Sequence, residues 1–163
     1  MKFLTATPLL LLVSSTHAFT APRSVQRSVS LYAAEGEEKA VAMVSGEDLE
    51  LLLQNMEQPL VVDAYATWCG PCLLMAPEFE QAAQELKGKV KFVKLDTDQE
   101  EEMASRLNIM GLPTLLFLDK YQDDENPDAR AVLKGRIEGA MQKKSILDLV
   151  EHYFFDGPAP QLF

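Results

Sequence analysis

The chain has 163 residues, 47% of them apolar, with 15 basic and 25 acidic side chains and a net charge of −10. That length suits one sizeable core plus an appendage, and the negative balance argues against a nucleic-acid binder, which needs a basic face. Two cysteines and two distant histidines build neither a disulfide-stapled scaffold nor a tetrahedral zinc site.

The charge is unevenly spread. Residues 1–34 contain no Asp or Glu and three cations, Lys2, Arg23 and Arg27, so residues 35–163 hold 12 basic and 25 acidic groups, a net of −13. Residues 1–18 combine Lys2, an apolar run centred on Leu9–Val13 and small residues at Thr16 and Ala18, the pattern of a signal peptide cut before Phe19. The run breaks at Pro8 and is shorter than the roughly 20 residues a bilayer needs, so no stable membrane anchor is expected. Residues 19–34 contain Ser and Arg, lack acids and have too little apolar content to fold, as a transit segment does. With Phe19 at the cut and Ala18-Phe19-Thr20-Ala21-Pro22 at the junction, the leader resembles the bipartite plastid presequence of algae with secondary plastids. That resemblance implies the chloroplast stroma, with the secretory pathway as the alternative.

The remaining domain is expected over residues 35–163, with its core at about 40–155. Ser45 caps a predicted helix carrying Leu49, Leu52, Leu53 and Met56 and ended by Pro59. Leu60–Tyr65 is an apolar run suited to a buried strand. A second helix runs from Gly70 to Leu86 and stops at Gly88, with Pro77 expected to kink it. Lys89–Leu95 is a strand, and Glu100–Leu107 a helix capped by Thr97 or Asp98. Pro113–Leu118 is a strand, and Ala131, Leu133, Gly135 and Ile137 alternate along another. Ile146–Phe155 closes as an amphipathic helix ended by Gly157-Pro158-Ala159-Pro160, with His152 expected at the surface. Strands alternating with helices, then a hairpin and a helix, predict an α/β fold with a mixed sheet.

Both cysteines fall in Trp68-Cys69-Gly70-Pro71-Cys72, where a strand hands over to a helix. Thiols three positions apart at a helix start can close into a disulfide, and the unpaired amides and dipole there favour a thiolate at Cys69. Cys69 is expected to be the exposed nucleophile and Cys72 the shielded resolving thiol. Pro71 fits the first turn, where no amide donor is needed. Half of a zinc knuckle is the alternative, but no second Cys or His pair exists to complete a metal site.

On WCGPC, on Pro113 lying 41 positions after Cys72 in Gly111-Leu112-Pro113-Thr114, and on the order of the elements, residues 40–155 resemble a thioredoxin. The resemblance implies a central mixed β-sheet flanked by helices on both faces, and reduction of target disulfides through the Cys69/Cys72 dithiol. It implies a cis bond at Pro113 facing the disulfide, with the Leu112 backbone free to pair with an extended target segment. Asp63, in an apolar strand six residues before Cys69, matches the family's buried aspartate, the proton acceptor for Cys72, and Lys94 matches its partner. A solvated strand lysine is the alternative for Lys94. Gly139 matches the glycine beside the substrate groove, or it simply ends a strand. Trp68, Gly70, Pro71, Met110, Leu112 and Ala140 complete the expected target-binding collar, with plain packing the alternative for Met110 and Ala140.

Asp63–Trp68 and Arg136–Ala140 are most similar to plastid y-type thioredoxins, although Leu73 stands where that type usually has Gln. The y-type resemblance implies a monomer without a bound cofactor, with electrons from ferredoxin-thioredoxin reductase or another thioredoxin reductase, and peroxiredoxins and methionine sulfoxide reductases among its disulfide-containing targets. The long segment Asp119–Ala129 is acidic at Asp123, Asp124, Glu125 and Asp128, and is either a solvated loop or a selector of basic partners. A secretory oxidase or isomerase of the same fold, and a non-catalytic interaction module, are the alternatives to a plastid reductase.

Overall fold

Short apolar runs too brief for helices pair into one five-stranded sheet in the computed structural model, which describes residues 39–121 and 131–160. The expected signal and transit segments and residues 122–129 of the acidic segment lie outside the described residues. The elements run β1 (Val41–Met43), α1 (Gly46–Gln54), β2 (Leu60–Tyr65), α2 (Gly70–Glu85), β3 (Lys91–Asp96), α3 (Glu101–Arg106), β4 (Thr114–Lys120), β5 (Ala131–Glu138) and α4 (Lys143–Phe154). Strand order is β1-β3-β2-β4-β5, with β1, β3 and β2 parallel and β4 and β5 antiparallel to their neighbours. Every residue of β2, the central strand, is buried.

Strand alternation divides the core between the two faces. Val61, Phe92, Leu115 and Phe117 pack with Met75 and Phe79 of α2 and with Ile146 and Leu149 of α4. Leu60, Val62, Val93, Leu116 and Leu118 pack on the other face with Leu49 of α1 and Met103 of α3. The fold is therefore the thioredoxin arrangement, a mixed sheet with helices on both sides.

Four local expectations are corrected. Strand β1 has no sign in the sequence: three residues carry too little pattern, and they pair because the β3 edge is open to them. Helix α1 keeps its capping box, Ser45 with Asp48, but ends at Gln54. There the Asn55 amide donates to the Leu51 carbonyl, four residues before Pro59. Neither Thr97 nor Asp98 caps α3; Glu100 holds that place, and its carboxylate accepts the Gly46 amide at 2.8 Å, serving the start of α1 instead. The simple alternation along β5 fails because a bulge opposite Phe117/Leu118 shifts the register. It puts Ala131 and Leu133 opposite Lys120 and Leu118, whereas Gly135 and Ile137 face Phe117 and Leu115 on the α4 side.

Gly135 sits at that bulge because nothing larger fits. A Cβ there would lie 2.1 Å from Cζ of Tyr153, whose ring stacks on Phe117 at 4.9 Å. Gly135→Ala is expected to cost at least about 2 kcal/mol, read as a lower urea midpoint with unchanged slope. An unchanged midpoint would show that Tyr153 swings away freely.

Candidate active site

Strand β2 ends at Tyr65, and the chain turns through Ala66–Trp68 into α2, whose N-cap is Cys69. The cap is unusual in chemistry: the Cys69 sulfur itself accepts the Cys72 amide at 3.2 Å. Pro71 occupies the first turn, as expected, and α2 runs on through Pro77 to Glu85. Cys69 and Cys72 are joined in a disulfide with Cα atoms 5.3 Å apart. The expected contrast in exposure is absent in this oxidised form, since Cys69 is 4% and Cys72 2% accessible. What distinguishes them is position: Cys69 lines the adjoining groove and Cys72 does not.

That groove, about 450 Å³, is walled by Trp68, Gly70 and Pro71 on one side and by Ile109, Met110, Gly111 and Leu112 on the other. Five of the expected target-binding residues are thus brought together: Trp68, Gly70, Pro71, Met110 and Leu112. Trp68 and Met110, which both line the groove, are 71% and 80% exposed. Trp68 is steadied by its indole N–H, which donates to Asp98 Oδ2 at 2.7 Å.

The Leu112–Pro113 bond is cis, and Pro113 is buried behind the groove. Its carbonyl accepts the Gly139 amide at 2.8 Å, and Gly139 has φ +102°, a conformation that favours glycine just past the end of β5. Gly139 and exposed Ala140 therefore lie next to the cis-proline loop in the chain's hydrogen bonding but outside the groove lining itself.

Sequence reasoning missed Thr97, Ala104 and Ile109, which line the same groove. It also missed Arg136, whose guanidinium donates to the carbonyls of Asn108, at 2.7 Å, and Leu107. Those carbonyls end α3, so a β5 arginine holds the groove wall in place. No local pattern announces such a contact across 28 residues.

Asp63 is fully buried on the sheet face that α2 covers, because it alternates with Val61 along β2. Lys94 lies directly opposite on β3, and its ammonium is 3.8 Å from Asp63 Oδ2. That is an ion pair without a hydrogen bond, and neither Asp63 oxygen has a hydrogen-bond partner among the described residues. Burial pushes the carboxyl up from 3.8 to about 6, and the Lys94 charge only partly offsets it. Lys94 is thus a partner of Asp63 and not a solvated surface lysine. Its ammonium also sits 4.4 Å over the Tyr65 ring. Tyr65 is itself pushed above the ordinary tyrosine range, by burial first and then by the charges of Asp96 and Asp63.

Among the described residues no cluster of His, Cys, Asp and Glu could hold a metal ion, and no helix is long and apolar enough to cross a membrane. His152 is half-buried and its Nδ1 lies 3.0 Å from the Gly157 carbonyl, an end-of-helix contact.

The thioredoxin family profile matches residues 40–151. Similar proteins include the chloroplastic thioredoxin-like protein CITRX2 of Nicotiana benthamiana, 39% identical over 117 residues, which are 71% of this chain and 60% of that protein. The chloroplastic M-type thioredoxin of Spinacia oleracea is 32% identical over 141 residues, 86% of this chain and 72% of that one. Among solved structures, a chloroplastic thioredoxin z described as having a novel type-specific target recognition is 40% identical, with a TM-score of 0.58 over 69% of this chain and 93% of that chain. The chain spans 56–60% of the length of the first CITRX relatives it matches.

Proposed function

The chain belongs to the thioredoxin family, and from that premise we propose that it is a thiol-disulfide oxidoreductase that reduces disulfides in target proteins. The observation that carries this is the redox pair itself: Cys69 borders an open apolar groove, and Cys72 stands behind it within bonding distance. In the reduced protein the amides at the start of α2, Cys72 N–H among them, stabilise a Cys69 thiolate. That thiolate attacks a target disulfide held across the groove, with the Leu112 backbone pairing to the extended target segment. Cys72 then gives its proton to Asp63 and attacks Cys69, releasing the target thiolate and closing the Cys69–Cys72 disulfide. Lys94 pairs with the ionised Asp63 carboxylate before it takes that proton. Pro113 and Gly139 shape the loop behind the groove, and Ala140 extends the collar.

The dithiol is the redox centre, so no bound cofactor enters the scheme. The electron source proposed is ferredoxin-thioredoxin reductase, with peroxiredoxins and methionine sulfoxide reductases as targets and a monomer as the working form. Chloroplastic relatives support a plastid location, to which the bipartite leader at residues 1–34 would address the chain. The mature N-terminus, together with the location of a fluorescent fusion, tests this: trimming near Tyr32–Glu35 supports stromal import, and an end at Phe19 supports secretion. Within the family we assign the y-type on Asp63–Trp68 and Arg136–Ala140, with Leu73 as its departure.

Reduction of insulin disulfides with dithiothreitol as electron donor tests the activity. Turnover that depends on Cys69 supports the reading, and absent turnover in the wild type would make the domain a binding module. Trp68→Ala, which removes the largest exposed wall of the groove, is expected to raise KM for a protein target about tenfold with kcat little changed. A fall in kcat alone would place Trp68 outside target binding.

A further inference from the structure

Asp63 and Tyr65 are two residues apart on β2 and so share a sheet face, and Lys94 lies opposite Asp63 on β3. The Lys94 ammonium is 4.4 Å from the Tyr65 ring centre and 3.8 Å from Asp63 Oδ2. An ammonium drawn only to a buried carboxylate closes to a charge-assisted hydrogen bond of about 2.8 Å. Here the electron-rich ring face competes for the same cation, and the carboxyl oxygens are left without a hydrogen bond. The ring is not free to move aside. It is 8% exposed and packed with Cys69 and Cys72, its hydroxyl donates toward Met43 Sδ at 3.8 Å, and its carbonyl accepts both the amide and the hydroxyl of Thr97.

We propose that Tyr65 is a positioning residue for the proton-transfer step: its ring face holds the Lys94 ammonium beside the Asp63 carboxyl but off its oxygens, leaving them open to take the Cys72 proton. The inference rests on Asp63 being the proton acceptor. In that step the Cys72 S–H bond breaks and its proton passes to Asp63. The Cys72 sulfur bonds to Cys69, the Cys69–target S–S bond breaks, and its electron pair leaves with the target thiolate. A lysine hydrogen-bonded to the carboxylate would stabilise the ionised form and make it a poorer acceptor.

The other groups facing this site leave Tyr65 as the residue that sets the lysine. Asp96 lies opposite Tyr65, but its oxygens already accept the Asp98 amide and the Gln99 side-chain amide. From α2 comes the cysteine pair, from β4 Leu115 lies opposite Asp63, and from β1 Met43 lies opposite Lys94.

The test follows the Asp63 carboxyl carbon by NMR through a pH titration of the full chain, with Asp63→Asn to assign the signal. Tyr65→Leu, or Tyr65→Met if the leucine variant does not fold, is expected to lower the midpoint by about one pH unit, a tenfold loss of proton affinity. Tyr65→Phe keeps the ring and leaves the midpoint in place. In a Lys94→Met background the shift from removing the ring disappears. An unchanged or raised midpoint overturns the proposal, as does a shift that survives Lys94→Met, which would reduce the ring to a cover against water. The pH profile of the resolving step is measured on the same variants. If it stays fixed while the NMR midpoint moves, the positioning by Tyr65 stands and the acceptor role of Asp63 fails.

Discussion

Cys69→Ser is expected to lower disulfide-reduction turnover by about a thousandfold or more, because it removes the attacking thiolate and nothing else in the groove can replace it. The two cysteines of the chain form the pair, and the remaining groove-lining side chains carry no other thiol. The fold should survive the change. A serine oxygen can still accept the Cys72 amide that the Cys69 sulfur accepts now, so α2 keeps its cap. The lost disulfide closes only a short loop, three residues apart in sequence, worth about 2 kcal/mol to the oxidised form alone. Cys72→Ser should behave differently. Attack by Cys69 still occurs, resolution does not, and a covalent target adduct accumulates that intact-mass measurement detects. Retained turnover in Cys69→Ser, or an adduct on Cys72 in place of Cys69, would reverse the assignment of nucleophile and resolving thiol.

The parts of this site that sequence makes legible are those whose chemistry is local. WCGPC declares a redox pair because both thiols, the cap and the first-turn proline lie within five consecutive residues. The central strand announces itself through an apolar run, and the single charged residue within it makes Asp63 conspicuous. What stays hidden is made by distance. Arg136 reaches the end of α3, Glu100 serves α1, and Tyr65 meets Lys94 only once β2 and β3 are in register. The β5 bulge is hidden for another reason: its residues alternate well enough on paper, and only pairing with β4 reveals the extra one. The low exposure of Cys69 is not legible because helix-end chemistry says nothing about the walls of the groove around it.

Asp63→Asn is expected to remove the pH dependence that the wild-type carboxyl imposes on stability. The folded carboxyl titrates at about 6 against 3.8 when solvated, so between those values the folded state holds the extra proton. Stability is then fully present below about pH 3.8 and falls as pH rises through 6, by about 3 kcal/mol in all. An asparagine of nearly the same shape does not ionise and escapes that loss. Relative to wild type, the variant should therefore gain about 3 kcal/mol between pH 3.5 and pH 8, read from urea unfolding at the two ends. A flat difference would mean that Lys94 already compensates the buried charge in full. The same substitution removes the acceptor for the Cys72 proton, so the resolving step should slow about a hundredfold near neutral pH. Gained stability and lost rate, from one atom pair, are what a carboxyl retained for chemistry at the expense of the fold must show. A variant more stable and equally fast would leave the buried charge without a use in the reaction.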